Sequence, residues 1–284
     1  MPVQSNILNY SIYTHLSVSF PIRRFAIKYV VEGKETYTIN GHQFDVQAGS
    51  YLLANHYAHG QVYMESKTPV KGICVDIAPQ LMSQAVASFM RPDTGMPDMA
   101  LDTFFDSADY LENQYSATHT RIGADLRMLA HKLSEQPDLH REVPDDLYFT
   151  LAEHVVVDHI PIYKQLQQVP AIRQNTKKEL YRRLCKTKEY MQGTFTQSPA
   201  IQEIARYANL SEFHFFRLFK QVFGVTPHHY MMQLKLQYAS QLLKASGISI
   251  TETASLSGFS DVFAFSKAFK KYFGVAPGIW KVQN

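Results

Sequence analysis

The spacing of apolar positions changes character along the chain. From Arg24 to Ile77, short runs rich in Tyr, Val and Ile are separated by turn residues at Gly33, Gly41 and Gly49, with Asn55 and Pro69 further on. That pattern predicts a compact all-β unit. From Leu81 to Val169 the period lengthens: Ile122, Leu126, Leu129 and Leu133, then Leu147, Leu151, His154 and Val155, fall at helical intervals, with Pro137, Pro144, Pro161 and Pro170 as breaks. Residues 171–178 are polar and basic and are expected to link a domain at 1–170 to one at 179–284, where nearly everything is helical. The expected class is α+β.

The helical C-terminal part repeats itself. Phe213, Phe215, Arg217, Phe219, Lys220, Phe223 and Gly224 recur fifty residues later as Phe263, Phe265, Lys267, Phe269, Lys270, Phe273 and Gly274. Upstream the offset is forty-nine, Ile201, Glu203, Ala205 and Asn209 matching Ile250, Glu252, Ala254 and Gly258, so the second copy carries one extra residue in its turn. Each copy predicts a short helix opened by Ser198 or Ser249, then a turn at Asn209 or Gly258, where a left-handed backbone is cheap. A longer helix follows, capped by Ser211 or by Ser260 and Asp261. Ala205 and Ala254 are small where the two helices must approach. This is a helix-turn-helix pattern, repeated.

Phase along the longer helices separates two roles. Phe215, Leu218, Phe219, Val222 and Phe223, like Phe265, Ala268, Phe269, Tyr272 and Phe273, follow core spacing. Glu212, Phe213, Phe216, Arg217, Lys220 and Gln221 remain outward in one copy, and Val262, Phe263, Ser266, Lys267, Lys270 and Lys271 in the other. Arg and Lys can reach guanine, Ser several bases, and an exposed apolar side chain a thymine methyl. Pro227 to Ala245 predicts a helix of about 28 Å between the copies, close to the roughly 34 Å that separates successive major-groove entries.

Charge strengthens this reading. Residues 171–284 hold eleven Lys and five Arg against five Glu and one Asp, a net charge of +10, while the whole chain carries only +3. The remainder is therefore at −7, and one half alone suits a polyanion. The start, MPVQSNILNYS, lacks a basic segment followed by an apolar core, and no apolar run is long enough to span a bilayer, so neither signal peptide nor membrane partner is expected. Cys74 and Cys185 stand apart from any ligand-like motif and fit packing roles in a reducing compartment.

The stretches LSEFHFFRLFKQVFGVTPHHYM, LKLQYASQLL and ISITETASLSGFSDVFAFSKAFKKYFGVAPGIWK together resemble the DNA-binding domain of AraC/XylS-type bacterial transcription regulators. The resemblance implies two helix-turn-helix units joined by a linker helix. It places base-reading positions at Glu212, Phe213, Phe216 and Arg217 and at Val262, Phe263, Ser266 and Lys267. Lys220 and Lys270 fall at or near the backbone, and Ser211, His214 and Asp261 complete the DNA-binding set. Thr253, Lys267 and Trp280 depart from the usual residues of the family, the first two at positions that bear on packing and base choice in the second copy.

Glu32 to Tyr63, EGKETYTINGHQFDVQAGSYLLANHYAHGQVY, resembles the cupin-like sensing barrel of the same family. Alternation puts Phe25, Ile27, Tyr29 and Val31 on one face of the second strand, expected to line the barrel. Phe25, Tyr29, His59 and Tyr63 are the candidate residues for a small-molecule effector. His56 and His59, with Glu65 beyond, do not have the spacing of a cupin metal site, so no metal or other cofactor is expected. Helices around Asp145 to Gln168 resemble the segment through which relatives dimerise. The implied protein is a cytoplasmic homodimeric regulator, not an enzyme, with operator DNA, an effector and, if it activates, RNA polymerase as partners. A cupin-type metal-dependent enzyme tethered to a DNA-binding tail is the alternative.

Overall fold

In the N-terminal part, one strand of 19 residues, β6 (His59–Ile77), organises the sheet. The computed structural model describes residues 5–89, 98–141, 143–244 and 247–283. It divides into the units Met1–Lys164 and Gln165–Asn284. Along one side β6 pairs with β1 (Ile7–Pro21). Along the other it pairs first with β3 (Lys34–Ile39) and then with β2 (Phe25–Glu32). β4 (His42–Gln47) extends the sheet from β3, and β5 (Ser50–Ala54) and β7 (Asn113–Ser116) extend it from β2. Every pairing is antiparallel. The β3–β4 hairpin turns on Asn40 (φ 49°) and Gly41 (φ 81°), the two left-handed residues that a tight hairpin with the right twist requires.

Side chains from five strands converge on one cluster that includes Ala26, Val30, Tyr37, Ile39, Phe44, Val46, Leu52, Val62 and Val70. The sheet therefore curls around its own core, as a near-barrel must. Around it lie α1 (Pro79–Phe89), α2 (Asp98–Phe105), α3 (Arg121–Glu135) and α4 (Asp145–Gln167).

Four expectations need correction here. β1 precedes the predicted β region, and its two faces are exposed through its middle, so it shows no in-out alternation to read. β7 lies within the stretch read as helical. Pro161 sits inside α4 and does not end it. Phe25, Ile27 and Tyr29 do not line the barrel. They occupy the face of β2 opposite Ala26 and Val30, where Phe25 packs on Phe105 (6.2 Å) and Tyr110 (5.2 Å). Both faces of β2 are buried, one by the curled sheet and one by helices, so alternation alone could not say which was inside.

In the C-terminal unit, α5 (Gln174–Thr194) begins within the stretch expected to link the domains. It leads to α6 (Ile201–Tyr207), α7 (Glu212–Phe223), α8 (Pro227–Leu242), α9 (Ile250–Leu256), α10 (Val262–Phe273) and α11 (Pro277–Gln283). The linker helix α8 has 16 residues, about 24 Å, and the expected end at Ala245 lies outside the described residues. Among the described residues no helix is long and apolar enough to cross a membrane.

Candidate nucleic-acid interface

The two longer helices, α7 and α10, are built to the same local plan. The His214 amide donates to Ser211 Oγ (3.3 Å), and the Ala264 amide donates to Asp261 Oδ1 (2.7 Å), so each helix opens on a side-chain cap. Each closes on a left-handed glycine, Gly224 (φ 75°) and Gly274 (φ 79°), whose amide donates to the carbonyl of Lys220 or Lys270 at 2.9 Å. The turns before them match as well. Asn209 (φ 51°) and Gly258 (φ 77°) are left-handed, and the Leu210 and Phe259 amides donate back to Ala205 and Ala254 at 3.0 Å.

Aromatic rings hold both helices down. Phe215 contacts Phe219 at 5.5 Å, and Phe219 contacts Phe223 at 4.7 Å. In the second copy the spacings are 5.5 Å for Phe265 and Phe269 and 4.5 Å for Phe269 and Phe273. With those residues inside, the opposite faces are presented outward. Phe213 is 77% exposed and Phe263 84%, a costly arrangement for a large ring unless a partner covers it. Arg217 and Lys220 follow Phe213 at i+4 and i+7, as Lys267 and Lys270 follow Phe263, and all four are exposed. Each outer face is therefore one apolar ring followed by two cations on a single stripe. Arg217 stands with its guanidinium 5.9 Å from the Phe213 ring, a cation–π contact within the stripe.

Not every expected outward residue is fully outward. Phe216 is half-buried, with the His228 ring 6.4 Å away. Val262 packs partly against the second core, and His214 and Ser266 are half-buried. Glu212 is exposed in the first turn of α7. Tyr272, expected in the core, is exposed at 38%. Ser198 does not open α6: Ala200 holds the cap position without a side-chain bond, and Ser198 is left-handed (φ 55°) with its hydroxyl turned elsewhere. Ser249 does open α9, in a reciprocal box with Glu252.

The effector candidates do not converge. Tyr29 is buried and stands opposite Ile73 on β6, while Tyr63 stands opposite Thr36 ten residues earlier on the same strand. The Tyr63 hydroxyl donates to Glu65 (2.6 Å) at an exposed position. His59 lines an open cavity of about 530 Å³ with Phe20, Pro21, Thr38, Asn40 and Gln61. Periodicity missed a buried polar cluster: Lys28 contacts Cys74 and lies 3.4 Å from Asp76, and the Tyr37 hydroxyl donates to Glu35. Burial pushes the Glu35 carboxyl up from its ordinary range. His56 faces Asp106 at 3.2 Å. Among the described residues no group of three or more His, Cys, Asp or Glu is placed to hold a metal ion.

Residues 204–283 match the family described as a helix-turn-helix domain. The raffinose operon transcriptional regulatory protein RafR of Pediococcus pentosaceus is 29% identical over 171 residues, which cover 54% of this chain and 62% of that protein. The MmsAB operon regulatory protein of Pseudomonas aeruginosa is 33% identical over 92 residues, 32% of this chain and 30% of that protein. The chain thus spans less than two thirds of the length of these relatives. The crystal structure of ToxT from Vibrio cholerae with an unsaturated fatty acid bound is 14% identical, with a TM-score of 0.40 over 98% of this chain and 95% of that one. On its repeat, its caps and these sequence matches, the C-terminal unit carries a helix-turn-helix domain, and the chain is similar in sequence to bacterial operon regulatory proteins.

Proposed function

We propose that the protein is a sequence-specific DNA-binding transcription regulator that sets α7 and α10 into successive major-groove turns of one duplex. The observation that carries this reading is the repeated outer stripe, Phe213, Arg217 and Lys220 on one helix and Phe263, Lys267 and Lys270 on the other, on helices capped alike. In this reading Arg217 and Lys267 reach base edges, Phe213 and Phe263 meet thymine methyls, and Lys220 and Lys270 neutralise phosphates. Ser211 and Asp261 keep their helices in register by capping, and the Ser211 hydroxyl can still donate to a phosphate. The net +10 of residues 171–284 supplies the attraction that brings the duplex in.

The N-terminal unit, in the same reading, is a cytoplasmic regulatory domain without catalytic activity. The cavity beside His59 is where we place a small effector, and α4 is where we place contacts with a second copy. Two double readers on repeated half-sites gain effective concentration from such pairing. RNA polymerase is the further partner if the bound protein activates.

Selection of duplexes from a randomised library by the purified full chain tests the reading. We expect enrichment of a site with two short conserved blocks, and an affinity that falls steeply with salt. Recovery of random sequence, bound with no more than electrolyte-driven affinity, contradicts it.

A further inference from the structure

Three points far apart in the chain meet inside the C-terminal unit, and none of them lies on a recognition helix. Ser198, in the segment entering α6, donates through its hydroxyl to the carbonyl of Gly258, in the turn between α9 and α10, at 3.1 Å. Lys235, near the middle of α8, donates to both, reaching Ser198 Oγ and the Gly258 carbonyl at 2.6 Å each. Its ammonium also stands 5.5 Å from the ring centre of Phe259. The chains touch tightly there. A Cβ on Gly258 would come within 2.3 Å of the Thr196 carbonyl oxygen, and Gly258 is left-handed, so that position admits no side chain without moving the contact.

The two helix-turn-helix units share α8 as a spine. The first rests on its N-terminal half, where Phe219 packs on Tyr230 (5.7 Å). The second builds its core on Leu236, Ala239 and Leu243. A helix of this length fixes how far apart the units stand, but side-chain packing around it is a weaker restraint on how each unit is rotated about its axis. A direct tie from the entry of the first unit to the turn of the second restrains that rotation. The tie is charge-assisted, with an ammonium shared between a hydroxyl and a carbonyl, and such bonds are shorter and stronger than neutral ones. The ammonium is partly withdrawn from water, which lowers its pKa and shields the contact from salt.

We propose that Ser198, Lys235 and Gly258 form a clamp that sets the spacing and phase of α7 relative to α10, and with them the separation of half-sites that the protein accepts. This rests on the DNA-reading function proposed above. Lys235 is here a positioning residue. Its loss leaves base preference within each half-site intact and weakens discrimination between spacings.

The test uses the full chain, the duplex that the wild-type protein selects from a randomised library, and copies of that duplex with one or two base pairs inserted between the conserved blocks. Wild-type protein should lose affinity steeply with each insertion. In Lys235→Met the penalty for insertion should shrink by about tenfold, the effect of removing a shared charge-assisted contact. Ser198→Ala removes one hydroxyl from an exposed position, so the fold survives, and the penalty should shrink by about threefold. Base substitutions inside either block should cost both variants what they cost the wild type. An unchanged insertion penalty in Ser198→Ala overturns the clamp, whether or not Lys235→Met folds, as does an equal loss of affinity for every spacing. Failure of the wild-type protein to select any site overturns instead the DNA-reading function on which the clamp rests.

Discussion

The two helix-turn-helix units answer to one template yet stand on different supports. In the second, local chemistry is nearly self-sufficient. α9 opens with a capping box between Ser249 and Glu252, α10 opens on a carboxylate, and Trp280 closes the core at 5.8 Å from Phe269 and 4.7 Å from Phe273. In the first, α6 has no side-chain cap, and packing against α5 supplies what local chemistry omits. Tyr190 stacks on Tyr207 at 4.5 Å, Tyr181 meets Phe223 at 6.5 Å, and the Lys188 ammonium lies 4.9 Å from the Phe223 ring centre. A repeated sequence thus need not mean repeated energetics: both copies rest on α8, but one caps its own helices while the other leans on α5.

The widest test of that contrast removes one core ring from each. Phe269→Ala and Phe219→Ala should each cost about 3–5 kcal/mol, since both rings are fully buried. Different footprints in amide exchange are expected: loss of protection in residues 249–283 and the C-terminal half of α8 for Phe269→Ala, but spreading into α5 for Phe219→Ala. Matching footprints would remove the distinction.

The outer faces differ more finely. Arg217 is preset by its contact with Phe213, whereas Lys267 is a flexible point charge. Arg217→Ala should therefore relax base preference in the first half-site by about 1–3 kcal/mol, and Lys267→Ala should do so less in the second. Binding to sites randomised one block at a time measures both, and equal losses would break the distinction. The caps come next in size. Removing either one should cost about 1 kcal/mol, with Asp261→Ala the larger of the two because its carboxylate also faces the positive end of α10. Thermal melting of Ser211→Ala and Asp261→Ala checks the order.

The smallest effect is a pH dependence confined to the second unit. The Ser249 amide and hydroxyl hold the Glu252 carboxyl below its usual range. A depressed folded-state value stabilises above the ordinary carboxylate pKa and is lost as pH falls through the lowered one. The protection of α9 amides, relative to their intrinsic exchange rates, should therefore fall on acidification below about pH 4.5, by a margin that Glu252→Gln abolishes, while that of α6 shows no matching step. A step of equal size in α6 would show that the box is not its source.

What could be read from the sequence was what local chemistry decides. The repeat, the left-handed turns at Asn209 and Gly258, the caps at Ser211, Ser249 and Asp261, and the buried Phe219 and Phe269 all follow from spacing and residue type. What escaped depends on partners distant in the chain. β1 is a strand because β6 pairs with it on both sides of a register shift between Tyr13 and His15, not because its own residues alternate. Phe25 points away from the barrel core because helices cover that face. Ser198 looks like a cap by type and position, but Lys235 and Gly258 claim its side chain. Pro161 reads as a break, yet α4 carries on through it.

In the proposed function, α7 and α10 read one duplex together. Methylation interference on a duplex selected by the full chain tests it most directly, because guanine N7 lies in the major groove. Two interference patches are expected, centred about 10–10.5 base pairs apart on one face of the duplex, with the first lost in Arg217→Ala and the second retained. A single patch, or two patches that respond together to Arg217→Ala, would contradict it.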